Sequence, residues 1–200
     1  MSAVLHPPPI NRELDDSKVF LWENSIHPQD CDQLIQLFED LPDFQYKGSH
    51  GAGEHERLAE DGRMNMYISD NPIFEKFDDM LFQALAGSMS EMMQIYGIAE
   101  IDAYDDTGYM IQRYEKGQQY GWHVDNNHPE TMNRFLAAIW YLNDNFEGGT
   151  TEFMYQGLNI TPRQGSLVLF PPFWTHLHRS TPVLEGAKHI ITTWLVLKDG

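Results

Sequence analysis

From Tyr109 onward the chain is a succession of short β-rich runs, each closed by Gly, Asn or Pro, and this rhythm leaves few folds open to it. The runs are 109–114, 135–142, 151–153, 166–170 and 190–197. Strands this short, broken by turn residues, suit a β-sandwich or jelly roll. The first half differs. A short strand is expected at 19–22, and a helix over 30–41, where Cys31, Leu34, Ile35, Leu37 and Phe38 recur at helical spacing until Pro42 ends it. A second helix should run from 71 or 72 to 96 on the stripe Phe74, Phe77, Leu81, Leu85, Met89 and Met92, with Gly97 as its stop and Gly87 weakening its middle. The expected class is α+β, helices first and sandwich second. No repeat or Gly/Ser linker divides the 200 residues, so one domain over 1–200 is expected.

Charge narrows the partners. With 13 basic against 30 acidic residues the net charge is −17, which repels phosphate backbones and anionic membrane surfaces. Neither nucleic acid nor membrane is an expected partner, and a basic peptide would be attracted. No apolar run approaches the roughly 18 residues of a membrane span, and the start of the chain lacks the apolar segment of a secretory signal, so a soluble, cytoplasmic protein is expected. Cys31 is the single cysteine. Any metal must therefore be held by His and carboxylate.

His123-Val124-Asp125 is an H-x-D triplet whose two side chains share a face if the backbone is extended. Nine histidines and sixteen aspartates would yield about 0.7 such triplets by chance, so the triplet alone is weak. His128-Pro129-Glu130 is a rival, set aside because its Pro and the preceding Asn126-Asn127 suggest a turn. A second pair, His176 and His178, follows the apolar run 166–170 and Pro171-Pro172. One of these with His123 and Asp125 completes two imidazoles and a carboxylate, the facial set that leaves three positions of an octahedral iron(II) open. Lys188 stands ten residues after His178, and a lysine buried behind such a site would require an anion. Acidic pairs such as Asp78-Asp79 read as solvated faces, and the Met-rich face Met80, Met89, Met92 and Met93 as packing.

Several ordered motifs carry a resemblance: Tyr114-x5-Tyr120-x2-His123-Val-Asp125, Trp140-Tyr141-Leu142-Asn143, Phe146-Glu-Gly-Gly149, Pro162-x2-Gly165, and His178-x3-Pro182-Val183-x2-Gly186-x-Lys188. Over about residues 108–197 the chain resembles the iron(II)- and 2-oxoglutarate-dependent dioxygenases, in particular their prolyl 4-hydroxylase-like branch. The resemblance implies a double-stranded β-helix (jelly-roll) core over about 101–198 with supporting helices over about 17–100. It implies His123, Asp125 and His178 as iron ligands, Lys188 as partner of the distal carboxylate of 2-oxoglutarate, and Tyr114, Tyr141 and Thr192 as further contacts to that co-substrate. Counting forward from Phe170-Pro171 favours His176 as the third ligand, whereas counting back from Lys188 favours His178. His178 is preferred, because metal and lysine must keep a fixed separation while the Pro-rich loop can vary, and His176 then supports it or faces substrate.

The implied chemistry is hydroxylation of a C–H bond, in the first place of a peptidyl proline, with 2-oxoglutarate converted to succinate and CO2, O2 consumed, and ascorbate as auxiliary reductant. A free amino acid or small metabolite would use the same centre, and a non-catalytic jelly-roll binding protein or a zinc hydrolase are the readings from other classes. The polar, glycine-rich segment 47–62 is expected to be a mobile lid over substrate, with Arg134, Tyr120 and Trp122 as wall residues.

Overall fold

Pro28 at the first helical position and the His27 ring, which accepts a hydrogen bond from the Gln29 N–H, start the helix α1 (Pro28–Asp40) after the strand β1 (Phe20–Trp22). Cys31, Leu34 and Phe38 form its buried face. Burial, reinforced by the neighbouring Asp32 and Asp30, pushes the Cys31 thiol up to about 12, so it packs as an inert small apolar group. The strands β2 (Tyr46–Lys47) and β3 (Met64–Tyr67) pair antiparallel. A 3-10 turn over Pro72–Phe74, capped by the Asn71 side chain, leads into α2 (Glu75–Tyr96). The helix runs through Gly87 without a break and ends at Gly97, whose φ of +62° is the left-handed cap that glycine takes without a Cβ penalty. The computed structural model describes residues 17–48, 62–69, 71–97 and 104–198. Of the segment expected to be a lid, 49–61 lie outside the described residues.

The rest is β: β4 (Tyr104–Asp106), β5 (Met110–Glu115), β6 (Tyr120–His123), β7 (Arg134–Tyr141), β8 (Glu147–Gly148), β9 (Thr151–Phe153), β10 (Leu158–Ile160), β11 (Leu167–Phe170), β12 (His178–Ser180), β13 (Val183–Glu185) and β14 (Ala187–Leu197). Eight strands make a large sheet in the order β1-β11-β7-β14-β5-β3-β2, with β4 paired to β14. Four make a smaller sheet, β10-β9-β12-β6, and β13 pairs with β8. All pairings are antiparallel, as a jelly roll requires.

Two cores explain why the central strands read as continuous apolar runs. Alternate residues of β11 point to opposite sides: Leu167 and Leu169 join the helices around Trp22, Phe38, Phe77 and Leu81, while Val168 and Phe170 join Phe153, Ile160 and Val183 between the sheets. β14 does the same, with Ile191 and Leu195 against the helices and Ile190 inward. The helices thus seal the outer face of the large sheet, and its inner face is left to the small sheet and the cavity between them.

Candidate active site

In the small sheet His178 on β12 lies directly opposite His123 on β6, so their side chains share a face. Their ring centroids are 4.1 Å apart. Asp125 is not on the strand, as the H-x-D reasoning assumed: β6 ends at His123 and Asp125 sits in a bend. The bend is pinned because the N–H groups of both Asp125 and Asn126 donate to the Pro172 carbonyl, at 3.1 Å each, so the stiff Pro171-Pro172 turn aims the carboxylate. Asp125 Oδ1 lies 3.4 Å from His123 Nε2, and Oδ2 lies 3.8 Å from His178 Nε2. One atom from each of the three residues falls within 4.8 Å of the others, close enough to share an ion.

The hydrogen bonds around this trio fix which atoms are offered. His123 Nδ1 lies 2.7 Å from the Gly121 carbonyl and His178 Nδ1 lies 2.9 Å from the His176 carbonyl. A carbonyl can only accept, so each Nδ1 carries a proton, and Nε2 is the atom that each ring turns toward Asp125 and could offer to a metal. Burial, with the neighbouring His123 adding to it, lowers His178 to about 4, so its ring is neutral at physiological pH. Burial acts in the opposite sense on Asp125, raising it, but attraction to His178 and His123 and a hydrogen bond from the Trp194 indole outweigh this and hold the carboxyl well below its usual range. Two imidazole nitrogens and one carboxylate oxygen are a donor set suited to a divalent transition metal with open positions.

His176 is excluded from the trio by its own bonds: Nε2 contacts the Ser17 carbonyl at 3.0 Å and Nδ1 the Thr175 hydroxyl at 2.9 Å. It supports His178 through its backbone carbonyl and does not face the cavity. His128 and Glu130 lie at an exposed 3-10 turn and do not line the cavity.

Behind the trio a cavity of about 590 Å³, open mouth included, runs between the sheets. Lys188, Ile190, Thr192 and Trp194 line it from β14, every second residue, and Tyr114 on β5 lies opposite Lys188. Lys188 is 1% exposed. Its ammonium donates to the Gly149 carbonyl at 2.7 Å and to the Ser180 hydroxyl at 2.9 Å, and burial lowers it to about 7. Gly149, at φ +61°, belongs to the Phe146-Glu-Gly-Gly149 motif, and a Cβ there would come within 3.1 Å of the lysine stem. An ammonium has three N–H bonds, and among the described residues no carboxylate pairs with this one. The Thr192 hydroxyl is also buried without a hydrogen-bond partner. A buried lysine without a carboxylate partner and an unmatched hydroxyl beside a three-ligand metal set fit a chelating diacid, held by metal at one end and lysine at the other.

Tyr114 lines the cavity, its hydroxyl 3.3 Å from Gln112 Oε1. Tyr141 stands one layer back: it is fully buried, does not line the cavity, and donates at 2.7 Å to the hydroxyl of Thr151, which does. Of the expected wall residues Tyr120 lines the cavity, whereas Trp122 stacks under Arg179 and Arg134 stacks over Trp194. Sequence reasoning passed over Trp194, Gln112 and Ser180. Each lies two residues from a residue already singled out, namely Thr192, Tyr114 and His178, and strand parity alone would have found them.

Residues 109–196 match the family model described as the 2OG-Fe(II) oxygenase superfamily. A probable prolyl 4-hydroxylase 9 of Arabidopsis thaliana is 32% identical over 118 residues, covering 46% of this chain and 41% of that protein. The chain spans about two fifths to three fifths of the length of the first curated relatives it matches. Among solved structures, a prolyl hydroxylase of Trichoplax adhaerens in complex with a hypoxia inducible factor peptide superposes with a TM-score of 0.72 at 18% identity, over 92% of this chain and 86% of that one. The viral collagen prolyl hydroxylase of Paramecium bursaria Chlorella virus-1, in its 2OG complex, superposes with a TM-score of 0.64 at 20% identity, over 91% and 97%. The jelly-roll fold is thus shared with solved prolyl hydroxylases, and residues 109–196, which carry the His-Asp-His trio and Lys188, are similar to the 2OG-Fe(II) oxygenase superfamily.

Proposed function

We propose that this chain, as one oxygenase domain over residues 1–200, hydroxylates a peptidyl proline with iron(II), 2-oxoglutarate and O2. The observation that carries the reading is the buried Lys188 ammonium, paired with no carboxylate among the described residues, in the same cavity as the His123, Asp125 and His178 trio. When bound, iron(II) with 2-oxoglutarate and O2 supplies the oxidising power for inserting one oxygen into a C–H bond, with succinate and CO2 as co-products. Nε2 of His123, Nε2 of His178 and a carboxylate oxygen of Asp125 would hold the ion. Lys188 would take the distal carboxylate with its third N–H, aided by the Thr192 and Tyr114 hydroxyls. Phe153 and Phe170 pack on the His178 ring, with centroids 5.7 and 4.7 Å away, and would keep water from that side of a bound ion.

A peptide substrate is favoured by the peptide-bound neighbour from Trichoplax adhaerens, and a basic one by the net charge of −17. A cytoplasmic setting has in its support the single cysteine and the fact that no described helix is long and apolar enough to cross a membrane. The test is incubation of the chain with iron(II), 2-oxoglutarate, ascorbate and a proline-containing peptide library, read by mass spectrometry. Hydroxyproline forming in step with succinate is expected. Oxygen appearing only on a free amino acid or small metabolite would transfer the reading to that substrate class.

Proton uptake gives a second test. With its ammonium lowered to about 7 by burial, Lys188 is mostly neutral at pH 8, yet a carboxylate partner requires it charged. Binding of 2-oxoglutarate to the Mn(II)-loaded protein should therefore take up about one proton at pH 8 and almost none at pH 6. Calorimetry in buffers of different ionisation enthalpy reads this directly, and equal uptake at both pH values would place the charge elsewhere.

A further inference from the structure

Asp125 has two oxygens, and the structure treats them differently. Oδ2 accepts a hydrogen bond from the Trp194 indole at 3.0 Å, while Oδ1 faces His123 Nε2 at 3.4 Å and has no hydrogen bond of ordinary length among the described residues. The indole is covered on one face, and its backbone is anchored. The Arg134 guanidinium lies 3.8 Å from its ring centroid and donates to the Asp125 carbonyl at 3.2 Å, while the Trp194 N–H of the backbone donates to the Thr107 hydroxyl at 3.2 Å. Asn126 closes the loop that carries Arg134 by donating to the Met132 and Arg134 carbonyls, at 3.2 and 2.9 Å. Carboxylate, indole and guanidinium thus form one clamp built on β14, β7 and the bend after β6.

We propose that Trp194, held by Arg134, is a positioning residue that confines Asp125 to one-oxygen ligation of the metal. This rests on the oxygenase reading and adds a reason for the site's capacity. An octahedral ion with two imidazoles and a one-oxygen carboxylate keeps three exchangeable positions, enough for a chelating diacid and one further ligand. A carboxylate free to bind through both oxygens would remove one of them. The indole N–H, by engaging Oδ2, prevents that, and the stacked guanidinium stops the ring from turning away.

The probe is Mn(II) bound to the full chain, with exchangeable water counted from the broadening of its EPR lines in ¹⁷O-enriched water. The parent protein should show three waters on the bound ion, and one after saturation with 2-oxoglutarate. Trp194→Phe keeps the ring and its stacking but removes the N–H. It should show two waters and bind 2-oxoglutarate about tenfold more weakly, with Mn(II) still bound. Arg134→Met, which leaves the indole in place, should shift the count in the same direction but less completely, and it decides the matter if Trp194→Phe does not fold. A count in Trp194→Phe equal to the parent's overturns the proposal, whatever happens to affinity. If Mn(II) binds the parent and Asp125→Ala equally well, the oxygenase reading falls first and the proposal with it.

Discussion

Lys188→Met is expected to weaken 2-oxoglutarate binding by about 100-fold while leaving Mn(II) affinity unchanged. The methionine nearly matches the lysine stem in volume, so packing beside Gly149 and Tyr114 is kept and only the charge and its donors are lost. A buried carboxylate left without its cation loses a charge-assisted hydrogen bond in a place where water cannot replace it, which sets the size of the effect. The same substitution should stabilise the protein free of ligand. Burial lowers Lys188 to about 7 from 10.5 in the unfolded chain, so between these values the unfolded state holds more protons and parent stability rises with pH. The parent's deficit relative to Lys188→Met is therefore greatest below pH 7 and shrinks as pH climbs toward 10.5. Thermal unfolding of both proteins at pH 6 and pH 9 checks the sign, and a gap that widens with pH would contradict it.

Asp125→Ala should reduce divalent-metal affinity by more than about 100-fold, beyond what the loss of an outer hydrogen-bond partner does. The loss should not come from unfolding. Without a metal, the Asp125 carboxylate is an ionised group held against burial by two imidazoles and an indole. Its removal leaves His178 neutral, because burial already keeps that ring lowered to about 4, and leaves no unpaired buried charge. Unfolding of the metal-free variant should lie within a few degrees of the parent, while titration with Mn(II), followed by EPR, shows the ion free in solution. Tight Mn(II) binding by Asp125→Ala would mean that the ion sits elsewhere.

Much of this site was legible because the large sheet obeys strand parity. The run 190–197 is part of an eleven-residue strand, and Lys188 and Thr192 share its inward face as their spacing implies. The two helices appeared where the apolar stripes placed them, since a helix covering a sheet must bury one side. What escaped was the small sheet apart from β9. β6, β10 and β12 have three or four residues each, too few for alternation to register, and two of them carry the imidazoles. Asp125 reached the site for a reason local pattern cannot show: the Pro172 carbonyl, 47 residues away in the chain, holds its N–H. The position of His176 is likewise set by long-range contact, because its ring is drawn off to the Ser17 carbonyl near the start of the chain. Tyr141 was placed correctly on β7, but the cavity stops at Thr151, one hydroxyl short of it.

The most direct measurement is anaerobic addition of iron(II) and 2-oxoglutarate to the purified chain, followed in the visible spectrum. A diacid chelated to ferrous iron on His123, Asp125 and His178 should give a weak metal-to-ligand charge-transfer band, absent in Asp125→Ala and requiring far more 2-oxoglutarate in Lys188→Met. No band from the parent at saturating iron(II) and 2-oxoglutarate would contradict the assignment of this cavity to an iron-bound diacid.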